Sequence, residues 1–182
     1  LQVRERPATS QPQGSAAQGE TLFLQLEVEE GELYVQQQLL YTIKLLIAHD
    51  GGLAVGNGSS LSEPELETGE AVIKRLGEDS NYQAEIDGRR YSVIERRYAI
   101  YPQQSGPLSI KPIRFDGRMV ASSSRSRSIF DTMQQRARIK RISSQRVERE
   151  VKPIPSSYQG QAWLPAKNVQ LMEEWPAQQQ LV

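Results

Sequence analysis

The side chains best equipped for chemistry are carboxylates in the first half of the chain. Glu63, Glu65, Glu67 and Glu70 recur every two or three positions, with Asp50 before them and Asp79 after. Glycoside hydrolysis needs two carboxyls held about 5 to 10 Å apart across a sugar-sized cleft. Proximity along a polar stretch does not supply that, so Glu63 to Glu70 reads as a solvated acidic loop. There is no Cys, which excludes disulfides, Cys-ligated zinc and thiol catalysis. His49, beside Asp50, is the single histidine, so a His-rich metal site is excluded as well. A serine triad would have only that imidazole as its base, and an exposed or hydrogen-bonded structural role is the expectation for it. Gly51-Gly-Leu-Ala-Val-Gly56-Asn-Gly58 follows a strand pattern but lacks the Lys-Ser/Thr ending of a phosphate loop and opens no helix. It reads as a connection or a bulged strand. No catalytic residue, cofactor site or metal site is predicted.

Charge points instead to surfaces. The 22 basic and 22 acidic residues cancel over the chain. They segregate along it, however: Glu20 to Gly88 holds 3 basic against 14 acidic residues, and Ser123 to Glu150 holds 8 basic against 3 acidic. Two opposed faces are implied. Arg125, Arg127, Arg136, Arg138, Lys140 and Arg141 could engage phosphates, but nucleic-acid readers interleave aromatics with such charge and Phe130 stands almost alone. No nucleic-acid partner is expected. Trp163 and Trp175 could stack on sugars; packing between domains is the favoured reading.

The elements that position these residues are strands. Leu22, Leu24, Leu26 and Val28 alternate with Phe23, Gln25 and Glu27, a half-buried strand. Leu39 to Ala48 is apolar on both faces, which predicts a central strand, ended by Asp50-Gly51-Gly52. Asn81 to Ile86 and Arg89 to Ile94, joined by Asp87-Gly88, predict a hairpin with a type I′ turn, because both turn positions need positive φ. Its second arm runs on to Pro102, with Ile94, Arg96, Tyr98 and Ile100 on the core face. Tyr91, Val93, Glu95 and Arg97 take the other face. Tyr98 should be buried with its hydroxyl bonded. Ser105-Gly106-Pro107 turns into a strand from Leu108 to Phe115 that Lys111-Pro112 interrupts, and Gln145 to Lys152 closes the domain. The expected fold is all-β, an antiparallel sandwich. Ser122 to Arg136 reads as a mobile excursion and a first site of trypsin cleavage, with a short helix possible from Ser128.

Residues 1–19 read as the end of a preceding domain and a linker, 20–155 as the sandwich, and 156–182 as the start of a following domain or an extended tail. Two short echoes share an offset near 145: Val3-Arg-Glu-Arg-Pro7 with Val151-Lys-Pro153, and the Glu pair with Gln triplet before Leu39 and before Leu181. They suggest a unit cut from a tandem array. Starting on Leu, the chain is expected to be an excised piece.

Tyr91-Ser-Val-Ile-Glu-Arg-Arg-Tyr98-Ala-Ile-Tyr-Pro102, followed by Gly106-Pro-Leu108 and Lys111-Pro-Ile-Arg-Phe115-Asp-Gly117, resembles the BatD family of bacterial aerotolerance proteins. Leu33-Tyr34-Val35, Val151-Lys-Pro-Ile-Pro155 and Trp163-Leu-Pro-Ala166 extend the likeness over most of the chain from Glu20. The resemblance implies an immunoglobulin-like sandwich in a periplasmic protein anchored to the inner membrane. It would work beside MoxR-type ATPases and membrane proteins with von Willebrand factor A domains, without catalytic residues or cofactor. Because such domains often take a partner's carboxylate onto a bound metal, Asp50, Glu63, Glu65, Glu67 and Asp79 are the candidate partner contacts. The membrane is expected to matter only through an anchor outside this sequence. A carbohydrate-binding sandwich of the cell envelope is the alternative.

Overall fold

The computed structural model describes residues 20–121, 138–158 and 163–165. The linker before Glu20, the Ser122 to Arg136 stretch with its possible helix, and Trp175 lie outside the described residues.

The strands in chain order are β1 (Leu22–Val28), β2 (Leu33–Tyr34), β3 (Leu39–Ala48), β4 (Leu53–Val55), β5 (Ser60–Leu61), β6 (Leu66–Thr68) and β7 (Ala71–Arg75). They continue as β8 (Ser80–Ile86), β9 (Arg89–Pro102), β10 (Gly106–Ile110), β11 (Arg114–Ala121), β12 (Arg138–Ser143) and β13 (Val147–Lys152). The large sheet runs β1-β3-β9, and the far edge of β9 is shared by β8 at one end and β7 at the other. Two smaller sheets, β2-β13-β10-β6 and β12-β11-β4 with β5 also on β11, form the opposing layer. The protein is an all-β sandwich. Pairing is antiparallel except at β2, which lies parallel to β13.

Alternation in the sequence becomes two cores between the layers. Leu26, Tyr41, Ile43, Tyr98 and Ile100 from the large sheet pack on Leu33, Leu108, Ile110, Val147 and Val151. Leu22, Leu45 and Ile47 pack on Phe115 and Met119. The long strand β3 is central as expected, between β1 and β9, and contributes to both. Its other face is also apolar, so Leu46 and Ala48 join Phe23, Tyr91 and Val93 in a third cluster outside the sandwich interior. The interruption at Lys111-Pro112 has a structural meaning: the chain leaves one small sheet and enters the other there. Ile113 and Ser144 hold that corner by exchanging bonds, the Ile113 N–H donating to Ser144 Oγ at 2.9 Å and the Ser144 N–H to the Ile113 carbonyl at 2.8 Å.

The hairpin turn is as predicted, with φ of 52° at Asp87 and 77° at Gly88. Residues 53 to 75, which carry no clear period, contain four short strands, and β12 lies within the basic stretch. Trp163 folds back onto the sandwich. Its indole N–H donates to the Val35 carbonyl at 2.9 Å, and its ring meets Tyr34 and Tyr158 edge-on.

Candidate functional site

The acidic positions do not form one cluster. Asp50, at the end of β3, receives a two-pronged bond from Arg89, with Nε and Nη2 at 2.8 and 2.6 Å from its two oxygens. That bond holds the Asp50 carboxyl below its ordinary pKa. Glu65 pairs with Lys111 at 3.1 Å and Glu67 with Arg146 at 3.0 Å. Asp79 sits between two guanidiniums: Arg96 reaches both of its oxygens at 2.7 and 2.8 Å, and Arg75 reaches one at 2.8 Å. The Arg96 bond lowers its pKa, against a smaller opposing effect of burial. Glu63 differs from these four. It is exposed beside the buried Pro64, and its carboxylate makes no ion pair with the described residues.

Arg96 explains why a cation can face a core. Pairing with β3 and β7 puts Arg96, Tyr98 and Ile100 on the inner side of β9, as the alternation predicted. The guanidinium is 15 % exposed, and its remaining nitrogen donates to the Leu61 carbonyl at 3.2 Å. Buried charge is tolerated when it is paired and fully bonded, and here Asp79 and the Leu61 carbonyl do both. Tyr98 is buried as expected, but its hydroxyl departs from expectation. Among the described residues, neither it nor the hydroxyl of its cross-strand neighbour Tyr41 has a hydrogen-bond partner. Burial raises the pKa of both phenols. Arg96, two residues from Tyr98 on the same face, gives its hydrogen bonds to Asp79 and the Leu61 carbonyl, yet lies close enough to Tyr98 to oppose part of that rise.

His49 lies at the mouth of a cleft between the layers. Its Nε2 is 2.9 Å from Ser92 Oγ, a base beside a hydroxyl that sequence spacing did not bring together. The arrangement stops short of a hydrolytic triad, because the neighbouring Asp50 carboxylate is turned to Arg89. The cleft holds about 710 Å³, with Ile47, Leu53 and Ile94 as apolar lining and Asn81, Gln83 and Ser92 as uncharged polar lining. Asn81 and Gln83 of β8 and Leu53, Ala54 and Val55 of β4 line it together. A second groove of about 1060 Å³ crosses β11 and β12, where Arg114, Arg118 and Arg141 surround Ile139.

Among the described residues no three His, Cys, Asp or Glu side chains gather as a metal site. No helix there is long and apolar enough to cross a membrane. Compared with protein-family models, with curated proteins and with solved structures, the chain matches none.

Proposed function

We propose that this sandwich is a non-catalytic protein-interaction module, immunoglobulin-like, of a BatD-type periplasmic protein anchored to the inner membrane. It serves an envelope stress-tolerance assembly with a MoxR-type ATPase and von Willebrand factor A proteins. The observation that carries the reading is the state of Glu63. Of the five candidate contacts, Asp50, Glu65, Glu67 and Asp79 are engaged by arginine or lysine of the same domain. Glu63 is exposed and makes no ion pair among the described residues, and an open carboxylate is the ligand that a metal-bearing von Willebrand factor A domain takes. The His49–Ser92 pair without an orienting acid favours binding over catalysis.

The test is recovery of a von Willebrand factor A protein from membrane extracts on the immobilised domain. Recovery is expected to be lost on chelation of divalent metal and with Glu63→Gln, which removes the charge and leaves the fold's ion pairs in place. Glu65→Gln should recover the partner as wild type does. Equal recovery by Glu63→Gln would remove the contact from this loop. If the wild-type domain recovers no such protein, the assembly reading fails.

A further inference from the structure

The open edge of the large sheet carries a second inference, which rests on reading the domain as an interaction module but not on Glu63. Exposed strand edges are templates for pairing with another chain, and proteins blunt them with short strands, Lys, Pro or bulges. The other edges are blunted. β2, β4, β5 and β6 have two or three residues each. β7 carries Lys74 and Arg75, and β12 carries Arg138, Lys140 and Arg141. β1, the other edge of that sheet, also lacks Lys, Arg and Pro, but β12 comes close to it, and Lys140 Nζ donates to Thr21 Oγ1 just before β1 at 3.2 Å.

β8 has none of these protections. Its seven residues, Ser-Asn-Tyr-Gln-Ala-Glu-Ile, contain no Lys, Arg or Pro and pair with β9 without a bulge. In a two-residue hairpin the closing pair, Ile86 and Arg89, exchanges ladder bonds, and so does every second pair beyond it. The backbone groups of Glu85, Gln83 and Asn81 therefore point to the open side. Among the described residues no other backbone bond reaches β8.

We propose that this edge binds an extended, basic segment of a partner protein by antiparallel strand addition. Main-chain bonds to Asn81, Gln83 and Glu85 would supply affinity, and alternate side chains would supply specificity. The inward-facing ones enter the cleft beneath β8, whose polar lining of Asn81, Gln83 and Ser92 is uncharged, so they are small and uncharged. Charge selects the occupant. Apart from Asp79, which Arg75 and Arg96 neutralise, residues 77 to 88 hold Glu78, Glu85 and Asp87 and no cation. Two β8 edges would repel each other, whereas lysine or arginine flanking an apolar alternation is attracted.

The probe is a synthetic peptide of alternating lysine and valine, as long as β8, titrated onto the domain and read by fluorescence anisotropy. Saturable binding is expected. N-methylation of every second peptide amide keeps the charge and side chains while deleting pairing donors, and should weaken binding by about tenfold or more, as should glutamate in place of lysine. Glu85→Lys should weaken it similarly. Gln83→Pro removes an outward N–H from an edge strand, where Pro is tolerated, and should abolish binding with an unchanged circular dichroism spectrum. If Gln83→Pro does not fold, the peptide arms and Glu85→Lys decide. Absent binding, or binding indifferent to N-methylation, overturns the proposal. So does a dimer of the free domain that Gln83→Pro dissolves, since a second copy would then occupy the edge. Loss of peptide binding with intact Glu63-dependent recovery would overturn this inference alone.

Discussion

At the scale of single residues, the Arg96–Asp79 pair has the clearest energetic consequence. Its members are 15 % and 25 % exposed, so the bond is only partly screened, and removing one partner leaves a cation facing the core. Asp79→Asn keeps the shape and removes the charge, and should cost about 1 to 2 kcal/mol in denaturant unfolding at neutral pH. The pH dependence follows from the direction of the shift. Asp79 has a folded pKa below its ordinary value of 3.8, so the unfolded chain binds its proton first as pH falls. The contribution of the pair is complete above that ordinary value and is lost as pH drops through the folded one. Wild type should therefore lose stability more steeply than Asp79→Asn below about pH 4, the two curves converging in acid. Parallel curves from pH 7 to pH 3 would show that the pair contributes nothing. Asp79 was visible in the sequence as an acid with partner potential. Its principal partner was not, because Arg96 lies 17 positions away on another strand.

At the scale of elements, alternation was readable wherever one face of a strand is buried and one is not. β1, the β8–β9 hairpin and β13 follow from it, whereas β3 was read from a run apolar on both faces and closed by Asp50-Gly51-Gly52. β12 does not, because Ile139 and Ile142 fall on opposite faces and cations fill the other positions. Short β4 to β7 give too few residues to show a period. β11 contains a further constraint that pattern alone does not announce. Phe115 and Gly117 share its inner face, and the Phe115 ring lies over Gly117 so closely that a β-carbon there would overlap it. The ring is 2 % exposed and packs in the core with Met119, so it has little room to swing away. Gly117→Ala should destabilise the domain by about 1 to 3 kcal/mol through overpacking. Phe115→Leu in the same chain should recover part of that loss, a coupling that a double-mutant cycle measures. A neutral Gly117→Ala would mean that the ring relaxes freely.

At the scale of the whole molecule, the segregated charge of the sequence is largely resolved by folding. Acidic residues of the 20–88 stretch meet basic residues that follow it: Asp50 with Arg89, Glu65 with Lys111, Glu67 with Arg146, and Glu32 with Lys152. The acidic stretch is thus less of a free surface than its composition suggests. Exposed pairs of this kind contribute about 0 to 1 kcal/mol each, but reversing them replaces attraction by repulsion. The double variant Glu65→Lys/Glu67→Lys should therefore melt a few degrees below wild type in dilute buffer. The gap should close near 0.5 M salt, where the screening length shrinks to roughly 4 Å. A gap independent of salt would assign the loss to packing.

The sequence alone determined what local physics can encode: an all-β domain, the alternation of β1, the central place of β3, the inner and outer faces of β9, and the positive-φ turn at Asp87-Gly88. These depend on a period of two and on the backbone freedom of single residues, which a short window contains. Only the tertiary structure decided which acids are neutralised, where Arg96 finds its counter-charge, that His49 meets Ser92, that the chain changes sheets at Ile113, and that the edge of β8 away from β9 is left unpaired among the described residues. The contacts among these join positions from 17 residues apart, for Arg96 and Asp79, to 120, for Lys152 and Glu32. A pairing energy depends on distance in space, and that distance is fixed by sheet order and register rather than by spacing along the chain.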